Sequence, residues 1–245
     1  MINWNEIKFR ASSWGNLLTE PATKAAKEAG ELSKTCQAEL IKIYVQEIYD
    51  RKEDIITAAM DKGKQVEDEA IRILSMVDGE MYSKNQEPHE NEWFTGHPDI
   101  VTETEVHDIK SSWSIFTFLP KMMEEPDKAY VAQLNCYYSL TGAQGGAICY
   151  VLASAPIGII ESEKRKLLFS MNVISEFSPE YLKAAEILEK NMVYEDIPLG
   201  QRVIKKYIPR DEELIQKMKD KVPRLREWLQ EFDKIHRQSP LEYVV

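Results

Sequence analysis

The stretch that most restricts the fold is 93–112, Trp-Phe-Thr-Gly-His-Pro-Asp-Ile-Val-Thr-Glu-Thr-Glu-Val-His-Asp-Ile-Lys-Ser-Ser. It reads as two short strands, 93–101 and 105–112, joined by a tight polar connection. Strand positions two apart share a face, so Asp108 and Lys110 project together. A turn centred between Glu103 and Thr104 sets Asp99 opposite Asp108, with Cβ atoms roughly 5 Å apart. Two unpaired carboxylates at that spacing repel by roughly 3 kcal/mol at an effective dielectric near 20, and a divalent cation would relieve that repulsion. All-oxygen ligation suits Mg²⁺ or Mn²⁺, which keep waters and accept phosphates as further ligands. Lys110 would then orient or help deprotonate an attacking water, or offset charge developing on a phosphate. The same residues also fit a Pro-Asp turn followed by a solvated strand face, so the rest of the chain has to decide.

A length of 245 residues suits one large domain or two small ones. No internal repeat or linker is visible, and a single domain spanning 1–245 is expected, with its core at about 8–156 and 157–245 as an elaboration. At 43% hydrophobic and 29% charged residues the chain has the balance of a soluble globular protein. No apolar run reaches membrane-span length, and Met-Ile-Asn-Trp-Asn-Glu-Ile-Lys lacks the pattern of a signal peptide, which makes the cytoplasm the expected compartment. Cys36, Cys136 and Cys149 are widely spaced and odd in number, against a disulfide framework, and no Cys-x-x-Cys pair offers a zinc or iron–sulfur site. Of the four histidines, His97 and His107 flank the acidic patch without ligand spacing. The formal charge of −10 argues against a nucleic-acid partner. A carboxylate site carries part of that charge, however, and a local basic face can coexist with an acidic total.

Along the chain, Ser12 or Ser13 can cap a short helix, and beside Lys8 and Arg10 such a cap could hold a phosphate. Residues 22–57 read as helical, with bases and glutamates interleaved as on a solvated face. In 61–77, Val66, Ala70, Ile73 or Leu74 and Val77 recur at helical spacing, and Glu67 lies at the edge of that stripe, partly inward, where a carboxylate needs a partner. Residues 78–92 read as a polar loop, and 113–126 as a loop or short helix whose aromatics either pack on the core or stack bases. A helix at 129–140 sets Gln133 and Tyr137 on one face. A buried strand at 147–153, another strand at 166–174, and helices at 179–191 and 211–235 complete the chain.

Taken in order, Gly63-x-x-x-Glu67-x-x-Ala70 on a helix, Pro98-Asp99, Asp108-Ile-Lys110-Ser-Ser, and Gln133-x-x-x-Tyr137 on a helix resemble the motifs of the PD-(D/E)xK nuclease superfamily. More narrowly they resemble its phage branch, the lambda exonuclease and YqaJ-like recombinases, with RecB-like nucleases as relatives. The resemblance covers roughly 8–156 and implies an α/β fold with a restriction-endonuclease-like core, a central mixed sheet flanked by helices. It implies a Mg²⁺- or Mn²⁺-dependent deoxyribonuclease, with Glu67, Asp99 and Asp108 as metal ligands, Lys110 as the catalytic lysine and Gln133 as a supporting group. Arg10, Ser12, Ser13, Ser111 and Tyr137 would contact substrate, although the spacing of the N-terminal three matches the family poorly. Asp at 108 stands where Glu is more frequent. The expected activity is that of a DNA exonuclease acting at linear duplex ends in phage or prophage recombination, in a bacterial host cell. Its expected partners are a strand-annealing recombinase and further copies of itself in a ring, to which the 211–235 helix could contribute. The alternatives are a structure-specific or restriction-type endonuclease, or a nuclease-derived module that binds DNA without cutting.

Overall fold

Residues 145–151, Gly-Gly-Ala-Ile-Cys-Tyr-Val, form the middle of the larger sheet in a computed structural model that describes residues 2–53 and 57–237. The order of elements is β1 (Phe9–Arg10), α1 (Trp14–Leu17), α2 (Lys24–Glu28), α3 (Lys34–Tyr49), α4 (Ala58–Asp78), β2 (His89–Glu90), β3 (Phe94–Gly96), β4 (Ile100–Val101) and β5 (Glu105–Ser111). It continues through α5 (Ile115–Phe118), α6 (Lys128–Thr141), β6 (Gly145–Val151), α7 (Ile157–Ser170), α8 (Pro179–Lys190), β7 (Val203–Pro209) and α9 (Glu212–His236). The larger sheet has the order β4-β5-β6-β7, with β5 and β6 parallel and both outer pairs antiparallel. A smaller sheet has the order β1-β3-β2, with β1 and β3 parallel and β2 and β3 antiparallel.

The alternation of side chains along β6 explains why its sequence is apolar throughout. Ile148, Tyr150 and Leu152 enter one core, with α1, α3, α6 and α9. Ala147, Cys149, Val151 and Ala153 enter a second core, under α4. A strand buried on both faces has no position for an exposed polar residue. Gly146 is required by close approach, because a Cβ there would lie 1.7 Å from the Val106 carbonyl oxygen on the neighbouring strand. The fold is thus the expected mixed sheet flanked by helices.

Several local expectations change. The strand expected at 93–101 splits between the two sheets, since Pro98 has no N–H to continue a ladder. The helix expected over 22–57 divides into α2 and α3, each started by a side-chain cap, Thr23 and Ser33. Gly30 at φ 68° separates them, and Asp50 at φ 48° closes α3; positions 54–56 lie outside the described residues, as do Met1 and 238–245 of the expected single domain. The strand expected at 166–174 is instead the end of α7 and the turn after it; in α7 Ile159 and Ile160 are buried while Phe169 is exposed. A short apolar run such as Leu-Leu-Phe does not by itself distinguish strand from helix. Strand β7 adds to the expected elements, and Val-Ile-Lys-Lys-Tyr-Ile ahead of Pro209 carries the composition for it. Helix α9 buries Ile215, Met218, Val222, Leu225 and Leu229 against its own chain, so that apolar face is spent internally.

Candidate active site

The register of β4 on β5 pairs Ile100 with His107 and Val101 with Val106, and one further step outward sets Asp99 opposite Asp108, as the turn chemistry requires. Asp99 lies just before β4, where its Oδ2 accepts the Ile109 backbone N–H at 2.6 Å. Asp108 is buried, and Lys110 Nζ stands 2.7 Å from its Oδ2. That contact is a close ion pair, and among the described residues no other donor reaches this interior oxygen. Burial, then the neighbouring charge of Asp108, pushes the Asp99 carboxyl up to about 7. Burial also raises Asp108, against the opposing pull of Lys110. For Lys110, desolvation works to lower the ammonium pKa, but Asp108 outweighs it and the net direction is up, so Lys110 is a cation at neutral pH.

Helix α6 orients the lysine. Gln133 Nε2 donates to Tyr137 Oη at 2.9 Å, one helical turn on, and Tyr137 Oη donates to the His97 carbonyl at 3.4 Å. This leaves Gln133 Oε1 directed at Lys110 Nζ, which donates to it at 3.4 Å. Lys110 also lies 4.5 Å above the Tyr130 ring. The Tyr137 ring fits only because position 96 is glycine, since a Cβ there would meet Tyr137 Cε1 at 2.7 Å.

A cavity of about 420 Å³ gathers these groups: Arg10, Ser12, Glu67, Asp99, Asp108, Lys110, Ser111, Gln133 and Tyr137 all line it, along with Lys64 and His97. Nine of the ten residues singled out from sequence therefore share one concavity. Ser13 is the exception; it is buried and lines an adjoining cavity of about 280 Å³ with Lys42, Arg51 and Lys52, which Arg10 and Ser12 also reach. The expected capping role fails, because α1 is a single turn and Ser13 makes no side-chain capping bond. Glu67 does point toward the site from α4, but Lys84 Nζ holds its Oε2 at 3.0 Å. His107 turns to the other face of the sheet, its ring 5.3 Å from that of Tyr82, and burial lowers its pKa. The three cysteines are free and buried. Lys84, Tyr130 and Gly96 escape a reading of the sequence; only Gly96, within the Gly-His-Pro-Asp turn, carries a local signal. A wider cavity of about 610 Å³ opens beyond Lys84, and none of the residues singled out from sequence lines it.

Among the described residues, no three histidine, cysteine or carboxylate side chains stand close enough to cage an ion by themselves. The donor set is nonetheless compatible with Mg²⁺ or Mn²⁺, which bind through one or two carboxylates and fill the remaining positions with water and phosphate. Two carboxyls that burial holds above their ordinary range, one with an oxygen beside Lys110 that accepts no hydrogen bond, are groups a divalent cation would complement.

No protein-family profile matches the sequence, and no curated protein matches it. Solved structures do. A phage-related exonuclease from Haemophilus somnus 129PT superposes with a TM-score of 0.74 at 26% identity, covering 94% of this chain and 96% of that one. This neighbour supports the resemblance to the phage-exonuclease branch of the PD-(D/E)xK nucleases. An alkaline exonuclease from Laribacter hongkongensis shares the fold at a TM-score of 0.62 and 17% identity, over 96% of this chain and 95% of that one. The same enzyme in complex with dAMP matches at 0.60 and 17% identity, over 91% and 88%. The mixed α/β fold is accordingly that of the restriction-endonuclease-like nucleases, and the exonuclease neighbours support a nuclease hydrolase. No helix among the described residues is long and apolar enough to cross a membrane.

Proposed function

We infer that the protein is a divalent-cation-dependent DNA exonuclease that hydrolyses phosphodiesters at DNA ends. The observation carrying this reading is the convergence of Asp99, Asp108, Lys110, Gln133 and Glu67 on one cavity of a chain whose structural neighbours are exonucleases. Asp99 and Asp108, with Glu67, would hold Mg²⁺ or Mn²⁺. Such an ion supplies a Lewis acid that lowers the pKa of a water nucleophile and offsets charge on the scissile phosphate. Lys110 keeps its proton at Nζ and presents it to a phosphate oxygen or to the attacking water, and Gln133 fixes the direction of that ammonium through Oε1. Arg10, Ser12 and Ser111 bind the DNA backbone along the cavity, while Ser13 lines the adjoining cavity with Arg51, Lys52 and a Lys42 paired with Glu53. Tyr137 holds Gln133, which assigns it a supporting role at the substrate side of the site.

Incubating the protein with linear and covalently closed duplex DNA, with Mg²⁺ or with chelator, tests the reading. Loss of linear DNA alone, and only with the metal, is the expected result. Cleavage of the closed circle would move the assignment to an endonuclease, and wild-type protein that binds DNA without cutting it would make the chain a binding module. A place in phage recombination, beside a strand-annealing protein and in a ring of like subunits, is part of the same proposal. Co-purification of tagged protein with such a recombinase, and its mass in solution, test that part.

A further inference from the structure

Each of the three carboxylates at the site has a resident partner, and the partners differ in kind. Asp108 has Lys110, Asp99 has the Ile109 amide, and Glu67 has Lys84, which comes from a segment the site chemistry does not otherwise use. That segment is not a free loop. The Asn85 backbone N–H donates to the Asp99 carbonyl at 2.8 Å, and Asn85 Nδ2 donates to the Pro98 carbonyl at 3.1 Å and to the Glu87 carbonyl at 2.7 Å. Residues 84–85 are therefore strapped to the backbone that carries one carboxylate, while the Lys84 ammonium grips another. Lys84 also reaches Asp68 Oδ1 at 3.6 Å, so the ammonium has an alternative partner when it leaves Glu67. Its side chain is 34% exposed and that of Glu67 is 25% exposed, so the pair is shielded yet open to an arriving ion.

We propose that Lys84 is the built-in counter-ion of Glu67: it neutralises that carboxylate until a divalent cation arrives, yields the Oε2 atom to it by moving toward Asp68, and so sets the cation affinity of the site. The inference rests on the reading of Glu67 as a ligand. A fixed ammonium beside a carboxylate competes with a dication both for the oxygen and through charge repulsion. Removing it while keeping the aliphatic stem strengthens cation binding.

Calorimetric titration of the full chain with Mn²⁺ alone, without DNA, tests this. Lys84→Met is expected to bind Mn²⁺ about threefold to fivefold more tightly than wild type, the factor a half-exposed ion pair accounts for. Lys84→Arg, which keeps the charge, is expected to match wild type, and in a Glu67→Gln background the gain from Lys84→Met is expected to vanish. Unchanged or weaker binding by a Lys84→Met protein with wild-type circular dichroism would overturn the proposal. Glu67→Gln that binds Mn²⁺ as tightly as wild type would overturn the reading of Glu67 on which it rests, whatever Lys84 does.

Discussion

The two faces of the larger sheet put charge to opposite uses. On the α4 side, Lys205 Nζ meets Asp78 Oδ2 at 2.6 Å and Tyr82 Oη donates to the same oxygen at 2.9 Å, giving one cation, one anion and a hydroxyl in a closed set. Toward α6, in a cavity that α4 also lines, Asp99, Asp108 and Glu67 converge, and the Asp108 oxygen beside Lys110 accepts no hydrogen bond. A closed set serves the fold, whereas an open one costs stability and persists where a ligand completes it. Opposite consequences follow for substitution on the two faces.

The largest effect is expected on the open face. Asp108→Asn should lower DNA hydrolysis by about 10³-fold or more while leaving the unfolding midpoint unchanged or raised, because it removes a buried carboxyl held above its ordinary range. Parallel nuclease assays and thermal melts check both halves, and a large fall in stability would place Asp108 with the closed set. Gln133→Ala should cost about 10–100-fold in kcat with a smaller change in KM, since Gln133 directs Lys110 and does not itself gather substrate. On the closed face, Lys205→Ala leaves the Asp78 carboxylate without its cation and should destabilise the protein by about 2 kcal/mol in urea melts, with kcat of the folded fraction retained.

The smallest and most diagnostic difference is in pH. The folded-state pKa of Asp99 is raised to about 7, so between about pH 4 and pH 7 the folded protein holds a proton that the unfolded chain has released. Its contribution to stability is fully present below the unfolded value and is lost as pH rises through the folded one. The metal-free protein should therefore lose thermal stability across that window, and Asp99→Asn should flatten the loss. Because a ligand carboxyl has to be deprotonated, added Mg²⁺ should raise the melting midpoint more at pH 8 than at pH 6. A Mg²⁺ effect independent of pH would separate the cation from Asp99.

Much of the site is legible in the amino-acid sequence, for identifiable physical reasons. Asp99 and Asp108 are linked by strand register, and Gln133 and Tyr137 by helical spacing; both are short-range relations that a sequence carries in its periodicity. Glu67 is legible as a carboxylate at the edge of an apolar stripe. Local order also suffices for α4, α6, β6 and α9. It fails where the apolar signal is brief, as at the end of α7, and where one strand's residues are divided between two sheets, as on either side of Pro98.

Sequence alone thus determined the local pairings: which residues share a strand face, which share a helix face, and therefore which chemistry is available at Asp99, Asp108 and Lys110. Only the tertiary structure decided that α4 brings Glu67 to the same cavity, that Lys84 holds it there through a strap tied to Asp99, and that Ser13 falls into the adjoining cavity rather than capping a helix. Those contacts join residues far apart along the chain, and their geometry comes from the packing of α4 and α6 on opposite faces of one sheet. No periodicity encodes such a distance, because it is set by the volume of the side chains between the layers.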